Sequence, residues 1–118
     1  MCIEEQRDGL SRCTLSVEDH HFNSAGTVHG GVVSTLDDTS MGAALYPTPG
    51  PGEGCATIEI KINFFKPVIG GAIVCAAGVV SEGRNVANLE ACVYVGEVLV
   101  AKANGTFAIF GRKDENGT

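Results

Sequence analysis

Strict alternation of apolar and polar side chains marks residues 57–64. Every second side chain is apolar, and those between them are polar: Ile58, Ile60, Ile62 and Phe64 against Thr57, Glu59, Lys61 and Asn63. This period of two predicts a half-buried β-strand with Thr57 on its polar face.

Three more apolar segments follow this strand, at residues 72–80, 86–95 and 99–110. Short glycine-containing breaks separate them, at Gly70–Gly71, Gly83 and Gly96. Long strands joined by short turns predict an antiparallel meander.

The chain before residue 57 has a different pattern. Residues 27–45 repeat apolar positions at helical spacing, with Thr27 as a possible N-cap and Pro47 beyond the end. Residues 46–54 are too rich in Pro and Gly for a helix or strand, and residues 11–17 alternate briefly, as a first strand would. The predicted fold class is therefore α+β, with one helix packed on a sheet.

The widths of these two layers differ. Five strands spaced by about 4.8 Å give a sheet roughly 24 Å wide, whereas a helix with its side chains is about 10–12 Å across. Either the sheet curls around the helix or a second chain completes the cover. We therefore expect a homodimer, and a dimer of dimers is also open.

The length and the net charge of the chain limit the classes of function that it can have. A chain of 118 residues fits a single domain, residues 1–118. The formal net charge of -6 opposes broad binding to nucleic acid or to an anionic membrane. An anionic ligand would need a local cluster of basic residues.

The cysteines bear on the cellular compartment. Their number is odd, no CxxC pair occurs, and several lie in apolar runs: Cys2, Cys13, Cys55, Cys75 and Cys92. This predicts buried, reduced thiols in a cytoplasmic protein rather than disulfides or a zinc site. Neither an apolar leader nor an apolar run of about 18 residues occurs.

The start of the predicted helix is rich in glycine. Gly30 and Gly31 each cost about 1 kcal/mol of helix propensity relative to Ala. Without side chains, the free N–H groups of a first helical turn can point at a ligand oxygen and form an oxyanion hole. The alternative is that these glycines only allow close packing of the helix.

Two carboxylates follow, Asp37 and Asp38. At about 100° per residue they lie on different faces, with Asp38 almost opposite the apolar arc and Asp37 on its shoulder. In a dimer, Asp38 could face an interface cleft and act there as a base or nucleophile. His20, His21 and His29 fit no metal-binding spacing, so we expect no metal.

These motifs together resemble those of hotdog-fold thioesterases of the PaaI-like group. Asn23 and Gly26 precede the sequence Val28–His29–Gly30–Gly31, and Asp38 follows the histidine by nine positions. The match continues through the alternating strand and includes Lys66–Pro67, Gly83–Arg84 and residues 101–107.

The resemblance implies a hotdog fold, an antiparallel sheet of five or six strands wrapped around one central helix, and hydrolysis of acyl-CoA thioesters. In this family Asp38 would attack the thioester carbonyl or activate water, with Thr57 positioning that water. The Gly30 N–H and the Asn23 amide would hold the oxyanion, and His29 would orient the loop. Asp38 and Thr57 would come from one subunit of a homodimer and Asn23 and Gly30 from the other.

The resemblance also implies where substrate binds. Gly31, Gly83, Arg84 and Lys66 are the expected CoA-binding residues, and Lys61 and Arg112–Lys113 are further cations. No cofactor is expected, because coenzyme A is part of the substrate. The acyl group stays open, since its pocket would depend on Phe64, Phe65 and Met41.

Two alternatives to a thioesterase remain. A hotdog enoyl-CoA hydratase or dehydratase would need a catalytic His with an acidic partner and a different loop before the helix, which this sequence lacks. A non-catalytic acyl-CoA binding or sensing module would have the same fold. Asp38 in the matched position argues against that module without excluding it.

Overall fold

The computed structural model describes residues 1–46 and 52–111. Within these ranges lie six strands, one α-helix and one short 3-10 turn, Asp19–His21. The strands and helix, in chain order, are β1 Cys2–Arg7, β2 Leu10–Ser16, α1 Gly30–Leu45, β3 Glu53–Phe64, β4 Ala72–Glu82, β5 Val86–Val95 and β6 Val98–Gly111. The predicted α+β class with one helix is confirmed.

All six strands form one antiparallel sheet in the order β1-β2-β4-β5-β6-β3. The predicted meander holds for β4, β5 and β6 but is wrong for β3, which pairs with β6 at the far edge. Helix α1 contacts all six strands, so the sheet curls around the helix. The core lies between the helix and the sheet, and it includes Leu36 and Leu45 of α1, Ile73 of β4 and Leu89 of β5.

The sequence pattern does not predict strand β1, because the first strand that it predicts is residues 11–17. Its side chains are all exposed, so alternation gives no signal. Asp8 and Gly9, with φ of 51° and 73°, form the tight turn into β2. An Asp-Gly pair is typical of such hairpins, and this was the available signal.

The helix starts later than predicted. Its N-cap is His29, not Thr27, whose hydroxyl instead contacts the Asn23 side chain. Its C-terminal half packs closely on β6: a Cβ on Gly105 would lie 2.9 Å from Met41 Sδ. The small residues of β6, Ala101, Ala103 and Gly105, thus admit the helix, and Met41 covers Gly105.

Three further predictions concern the loop before β3, the cysteines and membrane-spanning segments. Strand β3 begins at Glu53, so the loop predicted over residues 46–54 is shorter, and Pro47 lies outside the described residues. All five cysteines are free, and Cys13 and Cys75 are buried, but Cys2 is exposed. Among the described residues, no helix is long and apolar enough to cross a membrane.

Candidate active site

Asp38 lies on the side of α1 that the sheet leaves uncovered, where Gly31 and Thr35 are exposed as well. The hydroxyl of Thr57 donates a hydrogen bond to Asp38 Oδ1 at 2.6 Å. A short bond of this kind to a carboxylate fixes the orientation of the acceptor. The outward direction expected for Asp38 is confirmed.

A β-bulge allows Thr57 to make this contact. Thr57 pairs with Phe107 and Glu59 pairs with Thr106, so Ile58 is an extra residue between two pairs. Directly paired residues share a face of the sheet, and Phe107 is buried beneath the helix. Thr57 therefore lies on the helix face, and its predicted place on the polar face with Glu59 is wrong.

Asn23 is held by a compact turn. Its Oδ1 accepts hydrogen bonds from the N–H groups of Ala25 and Thr27, at 2.9 and 3.1 Å. Its Nδ2 donates to Thr27 Oγ1 at 2.9 Å. Gly26 closes the turn with φ of 83°, a value that favours glycine. Because an amide nitrogen has two hydrogens, one remains for a ligand.

Asn23 and Gly30 line one cavity of about 370 Å³. Its apolar walls include Val28, Val33 and Val68, all buried, and Lys66 lies in the same wall. In the described ranges no acceptor contacts the N–H of Gly30 or Gly31, as is usual in a first helical turn. Gly30 and Asn23 thus each bring a hydrogen-bond donor to the lining of this cavity.

The two candidate groups lie apart within one chain. Asp38 lies eight positions after Gly30 in the helix, which at 1.5 Å per residue is about 12 Å along the axis. Neither Asp38 nor Thr57 lines the cavity that holds Asn23 and Gly30. One chain alone does not bring the carboxylate and the free N–H to a single carbonyl group.

Main-chain hydrogen bonds of His29 connect the start of the helix to the 3-10 turn that precedes it. The His29 N–H donates to the carbonyl of His21 at 2.9 Å, and its own carbonyl accepts from the Val32 N–H at 3.0 Å. His29 also lines a second space, a groove of about 550 Å³ whose lining includes Gly31.

The expected CoA-binding residues fall into two groups. Lys66 lines the cavity that Asn23 also lines. Gly83 and Arg84 form the β4–β5 turn, where the Gly83 N–H donates to the Val86 carbonyl at 2.8 Å. Ala87 and Thr57 pair with Phe107 from its two sides, so this turn lies at the Thr57 end of the sheet. Arg112–Lys113 lie outside the described residues.

Met41 lines neither the cavity nor the groove, because it is fully buried against β6. Phe64 and Phe65 do line the cavity, and each is about half exposed. The Phe64 ring lies against the helix start: a Cβ on Gly30 would be 3.5 Å from Phe64 Cζ.

Asp37 is fully buried, deeper than its expected place on the shoulder of the helix. The Cys75 thiol donates to its Oδ1 at 3.3 Å, and its Oδ2 has no partner among the described atoms. Burial raises the pKa of Asp37 to about 6, and the bond from Cys75 offsets this only in part. The pKa of Cys75 is also raised by burial.

Clusters of side chains that could bind a metal are the remaining feature of the site. Within residues 1–46 and 52–111, no three His, Cys, Asp or Glu side chains lie together as a metal site would need. The groups that this region does present are a carboxylate, an amide side chain and main-chain N–H groups.

Comparisons with known proteins bear on the family to which the chain belongs. The family model of the thioesterase superfamily matches residues 25–102. Human acyl-coenzyme A thioesterase 13 is 32% identical over 101 residues, covering 85% of this chain and 67% of its own length.

Solved structures are similar too. A Streptococcus mutans protein solved with bound acetyl CoA is 27% identical, with a TM-score of 0.85 over 92% of this chain and 87% of its own. The PaaI protein of E. coli has a TM-score of 0.86 over 93% of this chain and 79% of its own. Because the PaaI protein is only 21% identical to this chain, its similarity supports the fold alone. The chain thus belongs to the thioesterase superfamily, has the PaaI-like hotdog fold, and is a thioester hydrolase.

Proposed function

We propose that this chain hydrolyses acyl-CoA thioesters to the free acid and CoA, at sites shared between two copies of the chain. The observation that carries the proposal is the hydrogen bond from Thr57 to Asp38 on the uncovered side of the helix. An exposed carboxylate whose orientation is fixed is suited to attack a carbonyl group or to activate water. The acyl-CoA names and ligands of the relatives agree with this substrate class.

The oxyanion would be held by the Gly30 N–H and the Asn23 amide. Two donors directed at one position stabilise charge as it develops in the transition state. The positive end of the helix dipole adds to this effect, because Gly30 is the first residue of α1.

Two routes use these groups. In the first, Asp38 removes a proton from water while the water oxygen bonds to the carbonyl carbon. The tetrahedral intermediate then breaks its C–S bond, and the thiolate takes the proton from Asp38. In the second, Asp38 itself bonds to the carbonyl carbon and expels the thiolate, and water then cleaves the mixed anhydride. A single-turnover reaction in ¹⁸O-labelled water distinguishes the two routes, because only the second route can leave ¹⁸O in the Asp38 carboxylate.

A second copy of the chain would complete each site. Asp38 is about 12 Å along the helix from Gly30, so the Asn23 and Gly30 acting with it would come from the partner copy. Between Thr57 and Phe64, β3 pairs with β6 alone among the described strands. The same edge carries exposed apolar side chains at Ile58 and Phe64, which supports joining of two sheets there.

Binding of CoA would use the few available cations. Lys66 beside the oxyanion donors, and Gly83–Arg84 at the Thr57 end of the sheet, are proposed to contact it. Gly31 would do so at the helix start, with His29 holding the loop. We further propose that the chain forms homodimers or dimers of dimers in the cytoplasm. It needs no cofactor, because CoA is part of the substrate.

The decisive measurement is release of free thiol from a panel of aliphatic and aryl CoA esters. Asp38→Asn should reduce the rate about 10²- to 10⁴-fold, the range for loss of a positioned acid or base. Glu59→Gln, which changes an exposed carboxylate on the other face of β3, should retain the rate.

Two outcomes would overturn the proposal. Binding of CoA esters without thiol release from any of them would indicate an acyl-CoA binding or sensing module. Addition of water to an enoyl-CoA without thiol release would indicate a hydratase.

A further inference from the structure

Thr27 has a hydroxyl group that the proposed mechanism does not use. The sequence pattern predicts Thr27 as the N-cap of α1, but His29 takes that place and Thr27 lines the cavity of about 370 Å³. Its Oγ1 lies 2.9 Å from Asn23 Nδ2 and 3.2 Å from Asn23 Oδ1. The hydroxyl thus contacts both polar atoms of the amide that would hold the oxyanion.

The orientation of the Asn23 amide follows from its other contacts. One amide atom accepts the N–H groups of Ala25 and Thr27, at 2.9 and 3.1 Å. A main-chain N–H can only donate, so this atom is the oxygen and the atom facing Thr27 Oγ1 at 2.9 Å is the nitrogen. The two bonds to the oxygen also polarise the amide, which makes its nitrogen a stronger donor.

The two distances to Thr27 Oγ1 show which amide hydrogen the hydroxyl accepts. A planar amide nitrogen has one hydrogen cis to the oxygen and one trans to it. An acceptor that lies close to both Nδ2 and Oδ1 is on the side to which the cis hydrogen points. Thr27 therefore accepts the cis hydrogen of Asn23, and the trans hydrogen has no partner among the residues that the structure describes.

The backbone of this turn is held by bonds that do not involve the hydroxyl. The Asn23 N–H donates to the Thr27 carbonyl at 2.8 Å, and the Gly26 N–H donates to the Asn23 carbonyl at 3.2 Å. The next residue, Val28, donates its N–H to the Val68 carbonyl at 2.8 Å. Replacing the hydroxyl by a methyl group should leave these bonds in place.

From these contacts we infer that Thr27 is a positioning residue for the oxyanion site. By accepting the cis hydrogen of Asn23, it presents the trans hydrogen to the carbonyl oxygen of the thioester. The inference rests on the proposed acyl-CoA hydrolysis and adds a residue to its donor set. Thr27 acts through Asn23 and does not touch the substrate. Without the hydroxyl, the cis hydrogen lacks an acceptor and the amide turns to find one.

The kinetic test measures kcat and KM for a CoA ester that the wild type cleaves. Thr27→Val should lower kcat about 3- to 10-fold, the value of one neutral hydrogen bond, and leave KM nearly unchanged, because the oxyanion forms in the transition state. Thr27→Ala should give the same loss, and Thr27→Ser should restore most of kcat. In the Asn23→Asp background, Thr27→Val should add no further loss, since no amide remains to be positioned.

Thr106→Val is the matched control. The Thr106 hydroxyl donates to Asn88 Oδ1 at 3.4 Å, so it too removes a threonine contact to an asparagine side chain, but on the outer face of the sheet. This variant should keep both kinetic constants.

The second test observes the two side-chain amide hydrogens of Asn23 separately by ¹⁵N–¹H NMR. Thr27→Val should move the signal of the cis hydrogen upfield, whereas Thr27→Ser should keep the wild-type position. Acetonyl-CoA, a ketone analogue that cannot be hydrolysed, should move the signal of the trans hydrogen in the wild type.

Three results would overturn the inference. The first is a wild-type kcat in Thr27→Val, and the second is an unchanged signal of the cis hydrogen in that variant. The third is a further loss in the Asn23→Asp background, which would mean that the hydroxyl acts on the substrate directly. If the wild type releases thiol from no CoA ester, the proposed function fails instead, and the NMR signals still decide whether Thr27 orients the amide.

Discussion

Thr57 and Asp38 are joined by a 2.6 Å hydrogen bond although they lie on different elements, the bulged strand β3 and the uncovered side of α1. The bond directs one carboxylate oxygen toward the strand, and among the described residues no hydrogen bond occupies the other. Thr57 therefore positions Asp38.

Removing the Thr57 hydroxyl should slow catalysis without removing the carboxylate. A hydrogen bond to a charged group is worth about 1.5–3 kcal/mol, so Thr57→Val should lower kcat/KM about 10- to 100-fold. Thr57→Ser, which keeps the hydroxyl, should restore most of the loss. In the double variant with Asp38→Asn the Thr57 change should add little, because it acts through Asp38. Equal losses in Thr57→Val and Thr57→Ser would contradict this role.

The sequence predicted Asp38 better than it predicted Thr57, for a physical reason. The direction of Asp38 follows from helical periodicity, which is a local property of the chain. The face of Thr57 depends on how β3 aligns with β6, and Ile58 continues the alternation that the bulge interrupts. No pattern within residues 57–64 reveals that Ile58 is unpaired. A bulge beside a functional side chain is a common way to redirect it.

The place of β3 in the sheet was missed for a similar reason. Alternation identifies a strand and its buried face, but the neighbours of a strand depend on long-range pairing. The burial of Asp37 could be predicted only in part. Helical periodicity places Asp37 beside the apolar arc, but its complete burial depends on the curling of the sheet over that side of the helix.

The buried Asp37 should make stability depend on pH. Its pKa rises from an ordinary 3.8 to about 6 in the folded chain, so the folded state favours the protonated acid. The free energy of unfolding should therefore fall as pH rises from about 4 to about 6, by roughly 3 kcal/mol from this group, and then level off.

Asp37→Asn resembles the neutral acid and should remove this contribution. We expect the variant to be more stable than the wild type at pH 7 and to lose the advantage near pH 4. Urea unfolding of both proteins at one concentration, between pH 4 and 8, measures the difference. Asp38→Asn, at an exposed carboxylate, is the control. Parallel curves for Asp37→Asn and wild type would show that Asp37 does not titrate in this way.

The contact between Met41 and Gly105 should make position 105 intolerant of larger residues. A Cβ there would lie 2.9 Å from Met41 Sδ and 3.1 Å from Phe107 Cε1, within the packed core. Gly105→Ala should therefore destabilise the fold by about 1–3 kcal/mol, the usual cost of overpacking.

Gly42→Ala is the matched control, since a Cβ there meets nothing within 4 Å and Ala favours a helix interior by about 1 kcal/mol. Thermal unfolding should show opposite shifts for the two variants. A rise in melting temperature for Gly105→Ala would mean that Met41 moves aside at little cost.

Sharing of the site between two copies can be tested by mixing inactive variants. Asn23→Asp keeps the acceptor oxygen that holds the turn through Ala25 and Thr27 but loses the amide donor, and Asp38→Asn loses the carboxylate. When the two homodimers exchange subunits at random, half of the dimers become mixed, and each mixed dimer has one site with both residues intact. About a quarter of wild-type activity should therefore return, because the two-fold symmetric interface forms two equivalent sites. Subunit exchange is verified with differently tagged chains. If mixed dimers form and activity stays at the level of the separate variants, Asp38 and Asn23 do not act at a common site across the interface.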